Sequence, residues 1–201
     1  MARFWHVAHE GANCHGTDGC HEAQFIDLLL DVMQSTSNEE LQLTMRSLEV
    51  GDSVPDFTAT ASDGQKISLS DFVGKQAVVV FFYPKDNSLI CTQEACSFRD
   101  HYEDFVRLGA AVIGISGDSN ESHRSFAAAH HLPYRLIADE NGELRQLFGV
   151  PNSLFVLPGR VTYVIDREGI IRLKFNSQLF GSQHMQEALD SVRKINESVP
   201  P

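Results

Sequence analysis

Seven consecutive residues, Ala77-Val78-Val79-Val80-Phe81-Phe82-Tyr83, are small, β-branched or aromatic, and no polar side chain alternates among them. Such side chains suit a pleated strand, and the lack of alternation means that both faces of that strand are buried. A chain with a strand of this kind must cover a sheet on both sides, which is the α/β arrangement. From Val50 onward the remaining sequence agrees. Residues 57–61 and 66–70 flank the turn Ser62-Asp63-Gly64-Gln65 as two short strands. Residues 91–108 and 121–131 read as helices, and 110–116 as a second buried strand. Residues 135–138, 161–166 and 170–175 supply further strands, the last two joined by Arg167-Glu168-Gly169 in a hairpin. An amphipathic helix over 183–195 closes the pattern. The expected architecture is a mixed central sheet with helices on both faces.

Residues 1–46 differ in composition. They hold two basic and seven acidic residues, four of the nine histidines and two of the four cysteines. They are expected to form an extension with one short amphipathic helix, over 22–33, and a domain is expected to run from 47 to 201. Arg3 alone, without a continuous apolar run behind it, does not read as a secretory signal, and the acidic residues do not read as a transit peptide. The whole chain of 201 residues carries 16 Lys and Arg against 27 Asp and Glu, a formal charge of −11. That balance argues against nucleic acid and anionic membrane surfaces as partners. The longest apolar run is far short of the roughly 18 residues of a membrane span.

The residues with most chemistry follow the buried strand: Pro84-Lys85-Asp86-Asn87-Ser88-Leu89-Ile90-Cys91-Thr92-Gln93-Glu94-Ala95-Cys96. Here a cysteine opens a helix at the C-terminal end of a central strand, where open α/β sheets bind ligands. Unpaired N–H groups and the positive end of the helix dipole favour an anion at that point, and the thiolate is the nucleophilic form of cysteine. Ser88 can donate to or accept from a substrate oxygen, and Pro84 can hold the loop. Cys96 is five residues on, about 8.6 Å from Cys91 between Cα atoms on an ideal helix. A disulfide needs less than about 7 Å, so a bridge between the two requires the first turns to unwind. The spacing alone leaves two readings of Cys96 open: the second thiol of a catalytic pair, or a buried small hydrophobe.

Pro84, Ser88 and Cys91 match the P-x-x-x-[T/S]-x-x-C signature of the peroxiredoxins, and the chain resembles that family over nearly all of residues 47–197. Its pattern is most similar to the Q group, also called bacterioferritin comigratory protein, on the strength of CTQEAC at 91–96, VGDSVPDFTATASDG, VVVFFYPKDNS, VIGISGDS and LPGRVTYVID. The resemblance implies a thioredoxin-like fold and a thiol peroxidase that uses no metal, haem or flavin. It implies that Cys91 attacks the peroxide and becomes a sulfenic acid, and that Cys96 resolves this as an intramolecular disulfide. A thioredoxin or similar dithiol protein would then reduce the bridge. Pro84 would shield the site, Ser88 would hydrogen-bond the peroxide, and Arg160 would support the thiolate and polarise the peroxide, with Glu94 in a supporting role. Leu89-Ile90 departs from the Pro-Gly found in many members and makes the mouth of the pocket more apolar. A non-enzymatic redox sensor or chaperone on the same fold is the competing reading; a dithiol oxidoreductase would need a C-x-x-C that is absent.

Cys14, Cys20 and the histidines at 6, 9, 15 and 21 are capable of binding a soft metal, but five residues between the cysteines exceed the usual two to four. No metal site is expected there. His123, His130 and His131 are expected on the solvated side of a helix. Reactive unpaired thiols point to a cytoplasmic location, and a monomer is expected.

Overall fold

The structure, a computed structural model, describes residues 47–153 and 157–197. The expected helix at 22–33 and the Cys14 and Cys20 pair lie outside the described residues.

The strands are β1 (Thr58–Thr60), β2 (Lys66–Ser68), β3 (Ala77–Phe82), β4 (Ala110–Ser116), β5 (Arg135–Ala138), β6 (Asn152–Ser153), β7 (Leu157–Pro158), β8 (Val161–Ile165) and β9 (Ile171–Asn176). The helices are α1 (Leu89–Asp100), α2 (Tyr102–Arg107), α3 (Asn120–His130), α4 (Glu143–Leu147) and α5 (Gly181–Glu197), with a single 3-10 turn at Leu69–Asp71. Five strands form one mixed sheet in the order β5-β4-β3-β8-β9. β3 pairs in parallel with β4, from Ala77 opposite Ala110 to Phe82 opposite Ile115, and antiparallel with β8, from Val78 opposite Ile165 to Phe82 opposite Val161. The uninterrupted apolar run is thus the central strand, and every residue of it is buried.

Successive side chains of a strand point to opposite faces, so β3 feeds two cores. Val78, Val80 and Phe82 meet Phe148 and Tyr163 on one face. Val79, Phe81 and Tyr83 meet Cys91, Phe98, Phe105 and Phe126 on the other. Phe81 stacks on Phe98 with ring centroids 4.5 Å apart, which bolts the second half of α1 to the sheet. Burying each such ring contributes on the order of 2–3 kcal/mol. Helices flank both faces, but unequally. α1, α2, α3 and α5 supply buried residues to the second face, whereas α4, the 3-10 turn and the β1–β2 hairpin cover the first.

Two expectations are corrected. The helix read over 91–108 is two helices: it starts earlier, at Leu89, and breaks at His101, whose φ of −108° and ψ of 11° leave the helical region. Hydrophobic spacing runs straight through that break, because Phe98 and Phe105 both face the core, and so the sequence pattern hides it. His123 is not solvated. It is fully buried, on the same face of α3 as Phe126, while His130 is half-buried and His131 exposed. The short α4 and the β6–β7 pair carry too few residues to show a period.

Candidate active site

The loop from Tyr83 to Ser88 leaves the C-terminal end of β3 and delivers the chain into α1. Its anchor is Asp86, which is buried. Tyr83 donates its hydroxyl to Asp86 Oδ1 at 2.7 Å, Ser122 donates to Oδ2 at 2.7 Å, and His123 Nδ1 lies 2.9 Å from the same Oδ2. The backbone N–H of Asp86 in turn donates to Asp118 at 2.8 Å. Burial works against the Asp86 carboxylate, but the hydrogen bonds from His123, Ser122 and Tyr83 outweigh it and hold its pKa below the ordinary value. The loop is therefore tied to α3 before α1 begins. Pro84 is half-buried within it, and Asn87 takes the left-handed conformation at φ 57°.

Ser88 is the N-cap residue of α1. Its backbone is extended, its carbonyl accepts from Thr92 at 2.9 Å, and its hydroxyl donates to the Lys85 carbonyl at 3.1 Å. Cys91, the third helical residue, is 1% exposed. Arg160 arrives just ahead of β8, and its Nη2 donates to Cys91 Sγ at 3.1 Å. Its Nη1 donates to Glu94 Oε2. Glu94 and Cys91 share a face of α1 because residues three apart do so, and the guanidinium therefore bridges the two side chains. Both Arg160 and Glu94 are buried. The backbone before Arg160 is also constrained: a Cβ on Gly159 would stand 2.0 Å from the Pro151 carbonyl oxygen, so only glycine fits there.

Behind Glu94 lies His184 of α5. His184 Nε2 meets the Ser177 carbonyl at 2.8 Å and must carry the proton, so Nδ1 accepts from the Thr162 hydroxyl at 2.8 Å. Burial pushes the pKa of His184 down to about 4, with Arg160 adding to the effect, and the ring is neutral. An Nδ1 without a proton has nothing to donate to Glu94 Oε1, 3.6 Å away, and that oxygen is left without a hydrogen bond. Burial accordingly raises the pKa of Glu94 to about 8 despite the opposing pull of Arg160.

Arg145 went unnoticed in the sequence. From α4 it donates through Nη1 to the Gly159 carbonyl at 3.0 Å and through Nη2 to the Tyr83 carbonyl, with its cation 5.7 Å from the centre of the Phe82 ring. It joins the end of β3 to the approach of Arg160, and its charge interacts with Cys91. A five-residue helix without a clear period offered no signal for it.

The structure brings Cys91, Arg160 and Glu94 into direct contact and places Ser88 and Pro84 on the loop beside them. It does not bring Cys96 to Cys91. Both thiols are free, Cys96 is half-buried, and its sulfur lies 4.0 Å from His130 Nδ1. Around the mouth, Leu89 is 77% exposed, and Leu179 and Phe180 are exposed where α5 begins against α1. A cavity of about 710 Å³ lies at the far end of β4, between Asp63, Tyr102 and Arg135, and is lined by no cysteine. Among the described residues no group of three or more metal-binding side chains occurs, and no helix is long and apolar enough to cross a membrane.

The sequence profile of the AhpC/TSA family matches residues 50–174. A chloroplastic peroxiredoxin Q from Sedum lineare is 47% identical over 146 residues, which are 72% of this chain and 78% of the relative. The chloroplastic peroxiredoxin Q of Arabidopsis thaliana is 45% identical over 152 residues, 75% of this chain and 70% of the relative. The crystal structure of peroxidoxin BcpB from Mycobacterium tuberculosis superposes with a TM-score of 0.68 at 33% identity, covering 74% of this chain and 98% of that one. A PrxQ mutant structure from Xylella fastidiosa gives 0.69 at 27% identity, with the same coverage. The thioredoxin-like fold expected from the sequence is therefore present. The cytoplasmic location is not supported, because the plant relatives are named chloroplastic. Reduced thiols mark a reducing surrounding without saying which compartment provides it, which is why that inference failed. On the profile match, the identities and the shared fold, the chain belongs to the AhpC/TSA family and, within it, to the peroxiredoxin Q group of thiol-dependent peroxidases.

Proposed function

We propose that the chain reduces hydrogen peroxide and alkyl hydroperoxides through Cys91, with Cys96 as the resolving thiol and a thioredoxin-type dithiol protein as reductant. The observation that carries this reading is the guanidinium of Arg160 held between Cys91 Sγ and Glu94. The Cys91 thiolate attacks one peroxide oxygen and the O–O bond breaks. The sulfur keeps that oxygen and its proton as sulfenic acid, and the other oxygen departs with the electron pair and takes a proton from solvent to become water or alcohol. Arg160 is fixed beside the sulfur by Glu94, so its N–H groups meet charge as it moves onto the departing oxygen. The Ser88 hydroxyl donates to Lys85, which leaves its lone pairs to accept from the peroxide O–H. Pro84 limits water at the sulfur.

In the second step the Cys96 thiolate attacks the sulfenic sulfur, the S–O bond breaks, and hydroxide leaves as water after gaining a proton. The five-residue spacing requires α1 to unwind for this, since an intact helix holds the two Cα atoms beyond bridging distance. Cys91 and Cys96 stand on the same helix, so the proposed disulfide closes within one chain, and a monomer is proposed. The catalytic unit spans 47–201, with 1–46 as an extension.

The test is steady-state peroxide consumption with thioredoxin, thioredoxin reductase and NADPH. Wild type should turn over many times and Cys91→Ser not at all; full activity in that variant rules the assignment out. Cys96→Ser should consume one equivalent of peroxide and then stop. If oxidised wild type shows no Cys91–Cys96 bridge by mass analysis, the resolving step is wrong.

A further inference from the structure

The face of α3 that packs onto the site carries two histidines seven residues apart, and residues at that spacing share one side of a helix. His123 grips Asp86, upstream of α1, and His130 reaches Cys96, two-thirds of the way along it. One helix thus touches both ends of the segment that has to unwind. The contact at His123 is structural. At His130 the partner is a reacting atom.

We propose that His130 is the base that accepts the proton of Cys96 and so supplies the thiolate for disulfide formation; this rests on Cys96 being the resolving thiol. Its Nδ1 is the ring nitrogen nearest Cys96 Sγ, at 4.0 Å. His130 is the last residue of α3. Two contacts hold it in place: its carbonyl accepts from Arg99 Nη1 at 2.9 Å, and its ring packs edge-on to Phe126 with centroids 5.0 Å apart. Among the described residues, Arg99 of α1 and Tyr134, which precedes β5, are further ionisable groups that interact with Cys96. Arg99 is a cation with donors only and no lone pair to take a proton. Tyr134 stays neutral, because burial raises its pKa well above the ordinary value and the Glu94 and Cys96 charges add to this; its hydroxyl is occupied in donating to the Ala95 carbonyl at 2.8 Å. His130 alone among the three has a nitrogen lone pair to offer.

The step balances. The Cys96 proton passes to His130 Nδ1, the thiolate forms the S–S bond with Cys91 as the S–O bond breaks, and the departing hydroxide gains a proton, regenerating the neutral imidazole when His130 returns it. No oxidant beyond the peroxide already consumed is required. An ordinary thiol with a pKa of about 8.5 is only about 3% ionised at pH 7, so complete ionisation is worth at most about 30-fold in rate. Lower nucleophilicity of the more stable thiolate takes back part of this, which leaves about 5- to 30-fold.

The experiment compares wild type with His130→Gln. Each is mixed with one equivalent of hydrogen peroxide, quenched with an alkylating reagent at intervals, and resolved by mass into sulfenic acid and disulfide forms. At pH 7 the variant should form the Cys91–Cys96 bridge about 5- to 30-fold more slowly. The difference should shrink towards unity by about pH 9.5, where a thiol ionises without help. With excess peroxide the variant should also accumulate more Cys91 sulfinic acid per turnover, because its sulfenic acid persists. Equal rates at pH 7, or a slowing that is the same at every pH, overturns the role of His130. Absence of any bridge in wild type instead overturns the reading of Cys96. Sulfenic acid formation in the same samples reports whether the fold survived, and His130→Asn carries the comparison if the Gln variant does not fold.

Discussion

Replacing Glu94 by Gln should abolish the decline in stability between pH 6.5 and 8 and uncover a rise below pH 6.5. In the folded protein burial holds the Glu94 carboxyl at about 8, against 4.5 for an ordinary glutamate. Between those values the unfolded chain has released a proton that the folded chain retains, so stability falls as pH rises through this window. At about 1.4 kcal/mol per pH unit the whole window is worth roughly 5 kcal/mol. His184 acts in the opposite sense. Its pKa is about 4 when folded and 6.5 when exposed. Below pH 6.5 the unfolded chain binds the extra proton, and stability rises with pH up to 6.5 by roughly 3 kcal/mol in all. In wild type the two slopes largely cancel between pH 4.5 and 6.5, and a decline of roughly 2 kcal/mol remains between 6.5 and 8. Glu94→Gln removes only the first slope. Its stability should climb to pH 6.5 and then stay level. Guanidinium unfolding of both reduced proteins at half-unit pH steps measures this directly. Curves that run parallel from pH 4.5 to 8 refute the argument that Glu94 is held protonated by burial beside an aprotic His184 nitrogen.

Arg160→Met removes the donor fixed on Cys91 and should lower the second-order rate of sulfenic acid formation by about 10²- to 10³-fold in rapid-mixing assays. His123→Ala leaves Asp86 buried without its main partner; denaturant unfolding should show a loss of about 3–5 kcal/mol, and a loss under 1 would mean that the Asp86 network does not secure the loop. Gly181→Ala places a Cβ 2.8 Å from the Ile90 carbonyl oxygen and 3.1 Å from Glu94 Cβ, so α5 must shift away from α1. Hydrogen exchange should then speed up across the first two turns of α1, at a cost of about 1–3 kcal/mol in stability.

Much of this molecule is legible in its sequence, and the reasons are local. β3 has no polar residue, so its place at the centre follows from composition alone. The hairpin of β8 and β9 is announced by Gly169, which takes a positive φ of 79° at the turn. Cys91, Ser88 and Arg160 stand in ordered stretches that resemble a known family. What stayed hidden depends on partners distant in sequence. His123 looks like any polar residue of a surface helix until Asp86, 37 positions earlier, comes within 2.9 Å of it. Arg145 acts only because Tyr83 and Gly159, far from it along the chain, offer carbonyls to one guanidinium. The ionisation of Glu94 turns on the tautomer of His184, which Ser177 and Thr162 decide between them.

The stack of Phe98 on Phe81 divides α1 into two halves with different fates. From Leu89 to Cys96 only Cys91, Glu94 and Ala95 are buried, and none has a large apolar side chain, so melting those turns exposes little oily surface. Melting past Phe98 would pull an aromatic ring from the core and costs several kcal/mol. The break at His101 adds a second boundary, beyond which Phe105 keeps α2 on the sheet. On the proposed bridge between Cys91 and Cys96, turnover and heat resistance would be governed by separate stretches of one helix. Under that proposal, substitutions among Leu89, Ile90, Thr92 and Gln93 should retune how readily the thiols meet while the temperature at which the whole domain comes apart stays where the aromatic cluster sets it.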